Sequence, residues 1–203
     1  MLNTKDMYDF LKDNYSEEGF REKLIKNFSF SVAGCRAYRK RNVLHFQQHP
    51  GELMGLMGVL QDKGIKSYME MGISFCNTFC FMDSFFRTLS PDFEVSVGID
   101  IEDKSDILKE YQTQYPTCSF VQTDVLKYEF TRDFDFIFID TNQRYRYMKQ
   151  TFEKCLPHAR YIGFHDIAAH RWGALALFKE LQEHYKFWSW SRSGAGIGLL
   201  EIK

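Results

Sequence analysis

From Lys66 to the end of the chain, short runs rich in β-branched and aromatic residues alternate with longer amphipathic stretches. The strand candidates are Lys66–Met71, Glu94–Asp100, Ser119–Gln122, Asp135–Asp140 and Arg160–His165. Helical spacing marks the stretches Cys76–Leu89, Lys104–Tyr115, Arg144–Leu156 and Trp172–His184. Strands separated by helices do not pair as hairpins. They lie parallel in one sheet, joined by right-handed crossovers. The end of the chain differs, because "YKFWSW" and "IGLLEI" are separated only by "SRSGAG". That pattern predicts a hairpin, which adds antiparallel character to one edge.

Ahead of this alternation, Pro50 starts a helix through about Lys63, with Leu53, Leu56, Met57 and Leu60 on one face. Residues Asp6 to Asn27 carry Phe10, Leu11, Phe20 and Leu24 at helix-like spacing, which predicts one or two amphipathic helices. The polar, basic stretch "RAYRKRN" separates them from the rest. The expected division is an N-terminal helical cap or lid over residues 1–47 and one α/β domain over 48–203. A chain of 203 residues accommodates one such domain with a full core.

Composition excludes several classes. The net charge of -1 gives no global attraction to nucleic acid or to an anionic membrane. There is no run of about 18 apolar residues, and "MLNTKDMYDF" lacks the apolar core of a signal peptide. The 5 cysteines form no CxxC pair, so reduced thiols in a cytoplasmic setting fit better than disulfides or a zinc site. Arg36, Arg39, Lys40 and Arg41, with Tyr38 among them, are better read as a solvated loop than as a nucleic-acid patch. They could also contact an anionic or sugar substrate at a mouth that His45 and His49 reach.

The acids carry the functional signal. Glu70, Asp100 and Asp140 close the first, second and fourth strands, Asp166 follows the fifth, and Asp124 comes just after the third. Ligands of open parallel sheets bind beyond the carboxyl ends of their strands, at the point where strand order reverses. Helix capping explains any one such acid. It explains all five together poorly. Within "SYMEMGISFCNTFCFM", Glu70 and Gly72 end a strand as in nucleotide-type sites. A nicotinamide-dependent oxidoreductase is disfavoured, because "GISFCN" lacks the G-x-G-x-x-G that approaches a pyrophosphate.

From about Gln48 to Lys203 the chain resembles a class I S-adenosylmethionine-dependent methyltransferase, and within that class the small macrocin- and catechol-type O-methyltransferases. The matching pieces, in order, are "MEMGISFCNT", "VGIDIED", "VQTDVLKY", "FDFIFIDTNQRYRYMKQTFEKCLP" and "IGFHDI", followed by the terminal hairpin. The resemblance implies a Rossmann-like seven-stranded sheet ordered 3-2-1-4-5-7-6 with the last strand antiparallel and helices on both faces. It implies methylation of a small hydroxylated molecule. The alternative is a catalytically impaired protein of the same fold, acting as a cofactor-binding or regulatory subunit. No membrane or nucleic-acid partner is expected, and a homodimer is left open.

The resemblance also implies roles. Glu70, Gly72, Ser74 and Asn77 fall in the first motif, where backbone nears the methionine end of S-adenosylmethionine, an approach that a residue without Cβ permits cheaply. Asp100 matches the acid that accepts from both ribose hydroxyls, which a bidentate carboxylate suits, and Ile101 lies beside it. Asp124 matches the acid that accepts from the adenine amino group, with Val125 next to it. Asp140, His165 and Asp166 are the catalytic candidates, and Asp140 also adjoins the cofactor. On adjacent strands, Asp140 and Asp166 would repel unless they share a proton or a cation, and in metal-dependent members such a pair holds magnesium. Imidazole is a poor magnesium ligand, so His165 is expected to orient a loop or serve as a base.

Three residues depart from the family pattern. Cys76 stands where glycine is usual, and its thiol is expected to narrow the closest approach to the cofactor. Asn142 and Gln143 stand where an acid and a histidine often sit, and neither amide can take a proton at neutral pH. Either His165 or Asp166 supplies the base, or the acceptor needs none.

Overall fold

The computed structural model describes residues 48, 50–168, 173–191 and 195–203. The expected cap over 1–47, the basic stretch, His45 and His49 lie outside the described residues. The elements run α1 (Pro50–Leu60), β1 (Ser67–Met71), α2 (Asn77–Leu89), β2 (Val95–Asp100), α3 (Ser105–Gln114), β3 (Cys118–Gln122), β4 (Phe134–Ile139), α4 (Tyr145–Cys155), β5 (Ala159–His165), α5 (Gly173–Leu181), β6 (Lys186–Trp190) and β7 (Ile197–Glu201). A short 3-10 turn, Leu156–His158, joins α4 to β5.

All seven strands form one sheet in the order β3-β2-β1-β4-β5-β7-β6. The first five are parallel, and β7 runs antiparallel between β5 and β6. The hairpin is therefore as expected, and its second strand is the one inserted into the sheet. Alternation along each strand sorts the core into two layers. Tyr68, Phe136, Phe138 and Leu199 join Leu53 and Met57 of α1 and Phe79 and Phe86 of α2 on one face. Met69, Met71, Ile137, Ile139 and Phe164 meet Met148 and Phe152 of α4 and Leu177 of α5 on the other. Central strands covered on both faces read as continuous apolar runs, which is why the sequence showed them so clearly.

The order reverses between β1 and β4, because β2 and β3 lie to one side and β5 to the other. A crevice opens where neighbouring crossovers diverge in this way. Among the described residues, no helix is long and apolar enough to cross a membrane.

Candidate active site

The turn after β1 is built by three backbone constraints. Gly72 has φ 90°, and a Cβ there would collide with the carbonyl oxygen of Asp140. The neighbouring strand end thus requires glycine here even without a ligand. Asp140 N–H donates to Met71 O at 2.9 Å, and Gly72 N–H to Ile99 O at 2.8 Å, so this turn bridges the ends of β4 and β2. Ser74 and Cys76 then take left-handed conformations at φ 44° and 65°.

Cys76 departs from expectation. It precedes α2 with no side-chain cap hydrogen bond, and it keeps the backbone shape that glycine would adopt easily. Its thiol is fully buried in the layer with Phe79 and Leu108 and does not line the cavity described below. It therefore does not narrow the crevice. Burial pushes its pKa well up, so it stays a thiol.

Asp100 holds the turn in place. Its Oδ2 accepts from Ser74 N–H at 2.8 Å and its Oδ1 from Glu102 N–H at 2.9 Å. Each oxygen keeps a further lone-pair direction, so both can also meet a diol. Ile101 beside it is 70% exposed, an unusual state for isoleucine.

A partly open crevice lies at the reversal point, a small cavity lined by Glu70, Gly72, Ile73, Ser74, Phe75, Asn77, Thr78 and Asp140. Glu70, Gly72, Ser74, Asn77 and Asp140 are thus brought together. Glu70 is buried, and burial raises its pKa well above the usual carboxyl range, although a hydrogen bond from Tyr68 and the charge of His165 pull it down. Asp124 and Val125 do not line this cavity. The Val125 side chain is buried in the second core layer, so only its backbone is left to face a ligand. Asp124 Oδ1 already accepts from Leu126 N–H at 2.9 Å and from the Tyr147 hydroxyl at 2.8 Å.

Behind Asp140, on β5, sits His165, 5% exposed, and after it Asp166 at φ 64°. Its Nδ1 lies 3.3 Å from both Asp140 Oδ1 and Asp166 Oδ2. Burial disfavours the imidazolium, but the two carboxylates outweigh it and push the pKa up to about 10. His165 is therefore a cation at neutral pH and a poor base. The positive charge that two adjacent carboxylates require is already present in the ring between them. Its Nε2 is buried without a hydrogen-bond partner.

One ligand atom from each of Asp140, His165 and Asp166 lies within 4.8 Å of the others, near enough to converge on an ion. Yet Asp140 Oδ2 accepts from Gln48 Nε2 at 2.8 Å while Oδ1 faces His165, so donors occupy both oxygens. One of the three ligand atoms would also be an imidazole nitrogen, which magnesium disfavours. As arranged, the set does not fit magnesium.

Sequence reasoning missed Gln48, Thr78, Tyr68 and Tyr147. Gln48 and Thr78 share a buried hydrogen bond although they are 30 residues apart, and only tertiary structure reveals such pairs. The period-2 alternation of β1 could have flagged Tyr68, which shares a face with Glu70 two residues on. Asn142 accepts from Arg144 N–H at 3.1 Å in a local turn, and Gln143 O accepts from Gly173 N–H at 2.7 Å. These contacts serve the start of α4 and the approach of α5.

No family model matches the sequence, and no curated protein matches it. Solved structures do match. An O-methyltransferase from Bacillus cereus, in complex with S-adenosylhomocysteine (SAH), aligns with TM-score 0.63 at 16% identity over 86% of this chain and 91% of that one. The O-methyltransferase TomG from Streptomyces achromogenes, in complex with S-adenosylmethionine, aligns with TM-score 0.59 at 16% identity over 85% and 88%. A Staphylococcus aureus protein described provisionally as a caffeoyl-CoA O-methyltransferase aligns with TM-score 0.63 at 14% identity over 91% and 98%. At such identities the likeness shows the fold, which is the Rossmann-like class I methyltransferase fold.

Proposed function

We propose that this protein transfers a methyl group from S-adenosylmethionine to a hydroxyl of a small molecule. The observation that carries the proposal is the cavity at the β1–β4 reversal, with Asp100 clamping its turn and Asp140 forming its wall. Proteins of the same fold from B. cereus and S. achromogenes were solved with SAH and S-adenosylmethionine, which supports that choice of ligand. The cofactor supplies an electrophilic methyl group, and the chain must bind, orient and deprotonate around it. Glu70, Ser74 and Asn77 would meet the methionine end, Asp100 the ribose, and Ile101 and Asp124 the adenine. His165, held cationic, would stabilise an oxyanion forming on the acceptor. Asp166 would take the proton, because donors already engage both oxygens of Asp140.

A second reading is a cofactor-binding protein without turnover. It draws on Asn142 and Gln143, which cannot take a proton, and on the acid cluster's oxygens, which already accept from Gln48 and His165. Incubation with methyl-labelled S-adenosylmethionine and a panel of phenols and sugar hydroxyls separates the two. Label transfer that is lost in Asp166→Asn supports methylation. SAH binding with no transfer to any acceptor supports the second reading.

A further inference from the structure

We propose that Gln48 is a positioning residue, whose amide holds the Asp140 carboxylate in the place that a divalent ion would otherwise take. The proposal rests on the methyltransferase reading for what that carboxylate does, and on separate contacts for how it is held. Gln48 is 2% exposed and lies just before α1. Its side chain reaches Thr78 in the first turn of α2 and Asp140 at the end of β4. Both partners line the cavity.

The direction of the amide follows from chemistry. A carboxylate only accepts, so the NH2 group must face Asp140 and the Oε1 must face the Thr78 hydroxyl, which donates. The flipped amide would set an oxygen against a carboxylate oxygen. The result is a chain of donors, from Thr78 hydroxyl to Gln48 amide to Asp140, with His165 Nδ1 closing the other carboxylate oxygen at 3.3 Å. An ion binding Asp140 needs the same lone pairs. It would meet the amide hydrogens and would have to displace a buried group with no water to turn to.

Gln48→Glu tests this with little change of shape. It replaces the donor by a third carboxylate beside Asp140 and Asp166, so it should create the ion site that the native amide forecloses. Manganese is titrated into the SAH complex of the full chain, with uptake read from the paramagnetic resonance of the unbound ion. The native protein should take up none at the cluster. Gln48→Glu should bind one ion at concentrations at least about tenfold below the highest at which the native protein still takes up none, the lower end of the range by which supporting groups alter metal affinity. A merely structural glutamine would alter stability on substitution but would create no ion affinity. The proposal is overturned if the native protein binds one manganese that Asp140→Asn abolishes, or if folded Gln48→Glu gains none. Should Gln48→Glu fail to fold, the native titration still decides. SAH binding is measured by calorimetry on the same samples. Failure of the native protein to bind SAH overturns the methyltransferase reading, while the manganese results still decide the role of Gln48.

Discussion

At the scale of single residues, two buried groups sit against their intrinsic preferences. Cys76 holds a left-handed backbone at φ 65° with its thiol in the core. That conformation costs a non-glycine residue about 1–2 kcal/mol, whereas losing a buried side chain of this size costs roughly 1 kcal/mol. Cys76→Gly should therefore leave stability within about 1 kcal/mol of native and SAH affinity unaltered, as read by urea denaturation and calorimetry. A severe loss of affinity would mean that the thiol reaches the ligand. His165 is raised from its ordinary value to about 10 by Asp140 and Asp166, against the lowering effect of burial. The native state holds this proton after the unfolded chain has lost it. The stabilisation is complete below about pH 6.5 and is lost as pH rises toward about 10, with a slope of at most about 1.4 kcal/mol per pH unit. Urea denaturation from neutral to alkaline pH should show this decline in the native protein and a flatter profile in His165→Gln. Equal slopes would contradict the ion pairing.

At the scale of elements, the β1–α2 turn is the joint on which the site depends. Gly72→Ala would drive a Cβ into the Asp140 carbonyl at a backbone angle of φ 90°. Strained backbone alone costs about 1–3 kcal/mol, and a collision with backbone adds to it. The variant should lose more than about 3 kcal/mol or fail to fold, as thermal unfolding would report. Asp100→Ala releases Ser74 N–H and Glu102 N–H together. SAH affinity should fall by about 1.5–3 kcal/mol, the range for hydrogen bonds to a charged acceptor. Asp100→Asn, which keeps one acceptor oxygen, should lose less. Unchanged affinity in a folded Asp100→Ala would remove this residue from the ribose role. The element pattern was largely legible in sequence because the inner strands are apolar on both faces and end in acids. Legibility failed where contact partners lie far apart. Nothing local to Gln48 indicates Asp140, 92 residues on. Nothing near Asp124 indicates that Tyr147 would occupy one of its oxygens. The direction of the Cys76 side chain depended on packing, which a motif position does not specify.

At the scale of the whole molecule, the strand order fixes where a ligand can bind, and side chains decide which ligand it is. Seven strands with β7 reversed form one crevice at β1 and β4, and the described acids Glu70, Asp100 and Asp140 gather around it. Asp124 stands apart, on the far side of β2 after β3, where an adenine ring would lie if the cofactor extended along the strand ends. Calorimetric titration with SAH and, separately, with NAD is the most direct test. The native protein should bind one SAH per chain, with affinity reduced in Asp100→Ala, and should not bind NAD. Binding of NAD with no binding of SAH, or SAH binding indifferent to Asp100, would contradict the proposed function.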